Sequence, residues 1–228
     1  MNSGDVPIGE KARVVGYGAV ALTKGQTKAS FASSANVSSS AATNLTAADK
    51  KAMLSLARES ISRFLKTQTV PIPRGYNTNL QQKRGVFVTL KEHGQLRGCI
   101  GHIASDMPLA YLVSAMAWNA AFADNRFSPV RPEEIDSLEI EISVLTPPTL
   151  VKGASEIVAG RDGVIIEKNS RSAVFLPQVA TEQGWSRDVM LGHLCSKAGL
   201  PANCWKKGAK FQTCQASVFS EAEFKNSR

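Results

Sequence analysis

Cys99 stands between Arg97-Gly98 and Ile100-Gly101-His102, inside the run Leu96-Arg97-Gly98-Cys99-Ile100-Gly101. Side chains alternate along an extended segment, so Arg97 and Cys99 share a face. A guanidinium that near favours the thiolate, the form of cysteine that attacks electrophiles and carries covalent intermediates. Glycine weakens a strand, so Gly98 and Gly101 call for a bulge or for close approach by another backbone or a ligand. His102 falls on the opposite face of a regular strand, and a bulge at Gly101 would bring it round. As chemistry, this reads as Cys99 the nucleophile or acyl/thioether carrier and Arg97 its thiolate stabiliser. Gly98, Gly101 and His102 then line the substrate. The competing reading makes Cys99 a small buried hydrophobe, a common fate for a free thiol.

A second set follows at Asp124-Asn125-Arg126-Phe127. Asp124 is the candidate general base, and Arg126 the candidate clamp for a substrate carboxylate or phosphate, which a planar guanidinium grips in bidentate fashion. Arg126 beside a helix C-terminus is also explained by the helix dipole alone. His193, Cys195, Cys204 and Cys214 would be the ligands of any zinc site, but the gaps between the cysteines, eight and nine residues, are wider than the usual two to four, and no metal site is expected. His93 beside Gly94 reads as an exposed turn residue. The sequence holds no phosphate-binding loop, dinucleotide fingerprint, serine elbow or H-E-x-x-H, so no cofactor is expected.

These residues need elements to hold them. Thr46 can cap a helix with Asp49 at its third position. Met53, Leu54, Ala57, Ile61, Phe64 and Leu65 then recur at helical spacing, ending before Pro71 and Pro73. Gly85 to Leu90 and Leu96 to Ile103 read as a hairpin turning at His93-Gly94. Ser105 or Asp106 can cap an uncharged helix running through Ala123, and Pro132 to Ile135 suggests one helical turn. Leu138, Ile140, Ile142 and Val144 alternate with Glu139, Glu141 and Ser143, the pattern of a strand with one wet face, ended by Pro147-Pro148. Val164 to Glu167 and Ala173 to Leu176 are short strands. Ser186 caps a helix through Ala198, with Gly199 as stop, and Phe211 to Phe219 reads as one closing strand. Strands and helices without a βαβ rhythm predict an α+β fold, with a mixed or antiparallel sheet flanked by helices.

The 228 residues suit one large domain, or one domain with a satellite. No stretch has the length of uncharged apolar chain that a membrane helix requires, and no secretory signal is evident at the start, so a cytoplasmic location with free thiols is the expectation. The net charge of +8 permits an RNA-associated role, but the charges are scattered and the tightest cluster, Lys206-Lys207-Gly208-Ala209-Lys210, is short. Nucleic acid is therefore not the expected partner. Residues 23–45, rich in Ser, Ala, Thr and Asn, read as a flexible linker between a β-prone leader over 1–22 and a domain over 46–228.

Leu96-Arg97-Gly98-Cys99-Ile100-Gly101 resembles the hallmark hexapeptide of the AMMECR domain family. Ala120 to Pro129 is similar to that family's A-A-x-x-D-x-R-F-x-P segment. Asp162-Gly163-Val164, Phe175-Leu176-Pro177-Gln178-Val179 and Lys197-Ala198-Gly199-Leu200 resemble its later blocks, in order, over about Thr46 to Phe219. The resemblance implies an α+β fold of a larger and a smaller lobe, with the hexapeptide near the cleft between them. It also implies the A component of the AmmeMemoRadiSam system, a modification pathway. The partners would be a Memo-type protein, similar to extradiol dioxygenases, and a radical S-adenosylmethionine enzyme. Asn2-Ser3-Gly4-Asp5 and Arg13 to Gly18 resemble the C-terminal end of a Memo-type domain. That likeness implies the tail of a fusion, without the metal-binding part of such a domain. The role this leaves is an accessory or catalytic component acting on an unidentified small molecule or protein. The alternative is a non-catalytic binding module for the partner proteins. If 23–45 is a linker, limited proteolysis cuts there first and leaves a stable core beginning near Thr46; protection of that segment would contradict the linker.

Overall fold

Thr46 opens the first helix with a reciprocal cap. Its hydroxyl accepts from the Asp49 N–H at 3.1 Å, while the Asp49 carboxylate accepts from the Thr46 N–H at 2.9 Å. Burial alone would raise the Asp49 pKa, but amide donors from Asn77 and Asn79, with those of Thr46, outweigh it and hold the carboxyl at about 2. The cap therefore also anchors the short helix that Asn77 begins. The structure, a computed structural model, describes residues 44–225. The leader over 1–22 and nearly all of the linker over 23–45 lie outside them.

In chain order the elements are α1 (Ala47–Thr67), α2 (Thr78–Gln81), β1 (Val86–Glu92), β2 (Gln95–His102), α3 (Leu109–Phe122), β3 (Leu138–Leu145), β4 (Thr149–Val151), β5 (Gly163–Lys168), β6 (Arg171–Phe175), α4 (Pro177–Glu182), α5 (Arg187–Lys197), β7 (Lys210–Cys214), β8 (Ala216–Ser220) and α6 (Glu221–Lys225). A 3-10 turn covers Pro132–Glu134. The strands form two antiparallel sheets, ordered β2-β1-β3-β8 and β4-β7-β5-β6. The α+β expectation holds. Among the described residues, no helix is long and apolar enough to cross a membrane.

The first core lies between α1, α3 and one face of the first sheet, where Ile61, Leu90, Leu112, Ile140 and Ile142 are essentially closed to solvent. Each such side chain contributes roughly 1.5–3 kcal/mol by leaving water. The second core lies on the sheet's other face. There Phe87, Cys99 and Leu145 meet the second sheet, α4 and α5. Covered on both sides, β1 is buried from Val86 to Leu90. The same covering corrects the wet face expected of β3. Glu139 and Glu141 stay half-buried, but Ser143 and Leu145 are buried because the second lobe closes over that end.

Two other expectations change. Neither Ser105 nor Asp106 caps α3: the N-cap is Pro108, and the Leu109 N–H donates to Gln82 O at 2.9 Å, so no side-chain cap is needed there. The alternating run Phe211 to Phe219 is two strands in different sheets. The chain crosses at Gln215, whose N–H donates to the Thr146 hydroxyl and whose carbonyl accepts from the Thr146 N–H, both at 2.9 Å. Thr146 is the crossing point of the adjacent ribbon, from β3 toward β4. The ends of the domain are clasped by Arg58, which donates to Glu221 and to the carbonyls of Ile135 and Leu138 at 2.7 Å each. Thr46→Ala removes one half of the α1 cap and should cost about 1 kcal/mol, a fall in Tm of about 2–4 °C in thermal unfolding.

Candidate functional site

The hexapeptide lies on β2, an edge strand of the first sheet, with no strand beyond it among the described residues. An edge leaves backbone donors and acceptors without ladder partners. At Cys99 they are met by side chains: the Cys99 N–H donates to Asp124 Oδ2 at 2.9 Å, and Arg126 Nη2 donates to the Cys99 carbonyl at 3.1 Å. The two side chains also bind each other, Arg126 Nε to Asp124 Oδ1 at 2.9 Å and Nη2 to Oδ2 at 2.6 Å. Asp124 accepts from the Arg126 N–H as well, at 3.2 Å. The pair thus occupies the place of a further strand. Burial would raise the Asp124 pKa, but the guanidinium and the two backbone donors outweigh it and hold the carboxyl below its usual range.

Gly98 makes this reach possible. A Cβ there would sit 2.2 Å from the Ala120 carbonyl oxygen, so a side chain would push α3 off the strand. With the helix end seated on β2, Asp124 arrives two residues after α3 at the Cys99 N–H. At Gly101 a Cβ would meet the Val86 carbonyl at 2.3 Å and the Phe87 ring. Close approach of another backbone, one of the reasons expected for these glycines, is therefore the one found.

Arg97 departs from expectation. The pairing slips by a residue, so that Leu90 faces Gly98 while Lys91 faces Leu96. The bulge lies at Arg97, not at Gly101, and breaks the alternation that would have put Arg97 beside Cys99. Its guanidinium turns to Glu134, at 2.8 and 3.2 Å, and lowers that carboxyl's pKa. Cys99 is wholly closed to solvent, 3.2 Å from the Thr89 hydroxyl. Burial pushes its thiol up to about 11, against the Thr89 contact and the Arg126 charge. The expected lowering of the thiol pKa by Arg97 is thus corrected. The register is regular past Gly101, so His102 faces Val86, away from Cys99, and burial lowers its pKa.

Sequence reasoning passed over three features. Lys197, at the end of α5, donates to the Val174 carbonyl at 2.9 Å and lies 4.9 Å from the centre of the Phe175 ring. Burial lowers its pKa to about 8, with Cys99 and Arg126 close enough to be felt. Its signal was its membership of the Lys197-Ala198-Gly199-Leu200 block. Gln178 donates to the Ser143 hydroxyl at 3.3 Å, leaving its buried carbonyl oxygen without a partner. The third feature corrects the free thiols: Cys195 and Cys204 form a disulfide, with Cys99 and Cys214 remaining free. The chain doubles back at Gly199 after α5, bringing their Cα atoms to 5.9 Å, within bonding reach. Among the described residues no His, Cys, Asp and Glu side chains gather as a metal site.

The pattern of the AMMECR1 family matches residues 54–219, most of the described domain. The chain belongs to the AMMECR1 family. Protein TK0174 of Thermococcus kodakarensis is 41% identical over 181 residues, which span 74% of this chain and 88% of the relative. Protein Mbar_A1807 of Methanosarcina barkeri is 38% identical over 188 residues, 78% of this chain and 93% of the relative. The crystal structure of the uncharacterized protein PH0010 from Pyrococcus horikoshii is similar to the AMMECR1 domain here with a TM-score of 0.70. It is 40% identical in sequence, over 74% of this chain and 89% of that one.

The Asp124 carboxyl titrates below its ordinary 3.8, so its stabilising effect is complete above that value and is lost as pH falls through its lowered folded value. Asp124→Asn should cost about 3–5 kcal/mol at neutral pH, because Arg126 loses its buried counter-charge. The gap in urea midpoint between wild type and variant should hold from pH 7 to about 5 and narrow below about 4. A gap that did not change with pH would contradict the assignment.

Proposed function

We propose that this AMMECR1 domain is a component of the AmmeMemoRadiSam system that works by binding, holding a Memo-type protein or a radical S-adenosylmethionine enzyme, rather than by thiol chemistry at Cys99. One observation carries the choice: the groups that would do the chemistry are engaged within the protein. The thiol has no solvent exposure and a raised pKa, opposite to what an attacking sulfur needs. Asp124 and Arg126 are taken up by one another and by the Cys99 backbone. On this reading the hexapeptide and the Asp-x-Arg-Phe segment are two halves of one joint, which gives the domain a rigid surface to present to a partner.

A catalytic reading keeps support from Lys197 alone. A desolvated lysine whose pKa is lowered to about 8 is a candidate amine nucleophile.

The test combines two measurements. In the host strain, Cys99→Ser should leave the pathway's output and co-purification of both partners unchanged. In the purified protein, iodoacetamide at pH 7 should label Cys99 no faster than Cys214 until the fold is opened. Loss of output in a Cys99→Ser protein that still folds and still holds its partners would restore the thiol enzyme.

A further inference from the structure

The second lobe carries a cavity of about 420 Å³, unrelated to the hexapeptide. Three pieces of chain enclose it: the turn between β5 and β6, the loop that follows α5, and the 3-10 turn Cys204–Lys206 with Lys207 after it. The walls are braced from several directions. Lys168 donates to the carbonyls of Cys204 at 3.0 Å and Lys207 at 2.6 Å. The Cys195–Cys204 disulfide ties the 3-10 turn to α5, and the Leu200 N–H donates to the Cys195 carbonyl at 2.9 Å. The Cys204 N–H closes onto the Pro201 carbonyl at 2.8 Å. Such a concavity is formed before any ligand arrives, and its size suits a small molecule.

Its chemistry is one-sided. Lys168, Lys206 and Lys207 all line it, and among the described residues none of the three has a carboxylate within ion-pair distance. Lys168 uses two of its three protons on the carbonyls and keeps a third. Asn203 adds a side-chain amide, while Leu200 and Pro201 supply an apolar wall. Ammonium groups gathered in a concavity raise the local concentration of anions. A strand of nucleic acid would need basic residues tracking several phosphates along a groove, whereas here three lysines line one concavity, Lys206 also lying 5.6 Å from the centre of the Trp205 ring. We propose that this cavity binds a small organic anion, its phosphate or carboxylate group held by Lys206, Lys207 and Lys168 and its apolar part against Leu200 and Pro201. The site is independent of the partner-binding role proposed above, and it gives a use to Lys206 and Lys207 of the basic cluster, while Lys210 belongs to β7.

The experiment is calorimetric titration of the full chain at low ionic strength, with inorganic phosphate and with phenyl phosphate as probes. One saturable site is expected, with phenyl phosphate tighter than inorganic phosphate by about threefold or more, the share of the apolar wall. Lys206→Ala combined with Lys207→Ala should weaken phenyl phosphate by about tenfold while thermal unfolding stays as in wild type. Lys168 is left intact, because it holds the wall together. Absence of saturation by about 10 mM, or unchanged affinity in the double variant, would overturn the site. So would salt-sensitive binding of a single-stranded oligonucleotide that phenyl phosphate fails to displace, which would mark the lysines as a nucleic-acid surface.

Discussion

An edge strand exposes backbone groups that need partners, and in this domain Cys99 lies on a buried part of that edge. The Asp124–Arg126 ion pair answers that need, with a carboxylate for the N–H and a guanidinium for the carbonyl. Much else follows from that contact. The carboxylate must come from the end of α3, so the helix must rest on β2, and only a glycine at position 98 lets it do so. The helix in turn fixes the first core, and the strand it rests on presents Cys99 and Phe87 to the second. A charged pair at the margin of the sheet thus sets the position of both hydrophobic layers. A neutral carboxamide would be easier to desolvate and carries both a donor and an acceptor, but its hydrogen bonds would lack the charge assistance of the carboxylate and the guanidinium.

The local signals in the sequence were legible where they act over a few residues. The Thr46–Asp49 cap, the His93-Gly94 turn with both residues at positive φ, and the Ser186 cap all involve neighbours, and all are present. What was hidden depends on residues far apart. One run over 211–219 gives no sign that its halves serve different sheets, because Cys214, Ala216 and Val218 keep the same apolar phase across Gln215. The slip at Arg97 depends on what β1 offers opposite it, and so the face of Arg97 was misjudged. The Cys195–Cys204 bond spans a reversal whose geometry spacing alone does not convey. For the candidate site, the residues were found and their neighbours were not. Cys99, Asp124 and Arg126 do come together, yet the thiol is neutral and enclosed, a condition set by the second lobe closing over it.

Charge is distributed in a way that separates the two lobes. Around the hexapeptide, arginines are matched: Arg126 by Asp124 and Arg97 by Glu134. Both acids lie in the connection between α3 and β3, Asp124 just past the helix and Glu134 in the 3-10 turn, so one stretch of chain neutralises both. The lysines around the turn Cys204–Lys206 have no such matching. Part of the surplus behind the net charge of +8 therefore gathers around this turn, where Lys168, Lys206 and Lys207 have no acidic partner among the described residues.

The ribbon that crosses between the sheets at Thr146 and Gln215 has a consequence for how the chain is made. The first sheet takes its fourth strand, β8, from near the end of the described residues, and Arg58 on the first helix closes onto Glu221, 163 positions later. A ribosome releasing the chain from its N-terminus will have delivered α1, α2, α3 and three strands of the first lobe well before β8 emerges. Through that interval β3 has an open flank, and the second lobe must form between the halves of the first. The nascent chain is therefore exposed to strand-to-strand association until β8 emerges, and only its pairing with β3 seals that flank.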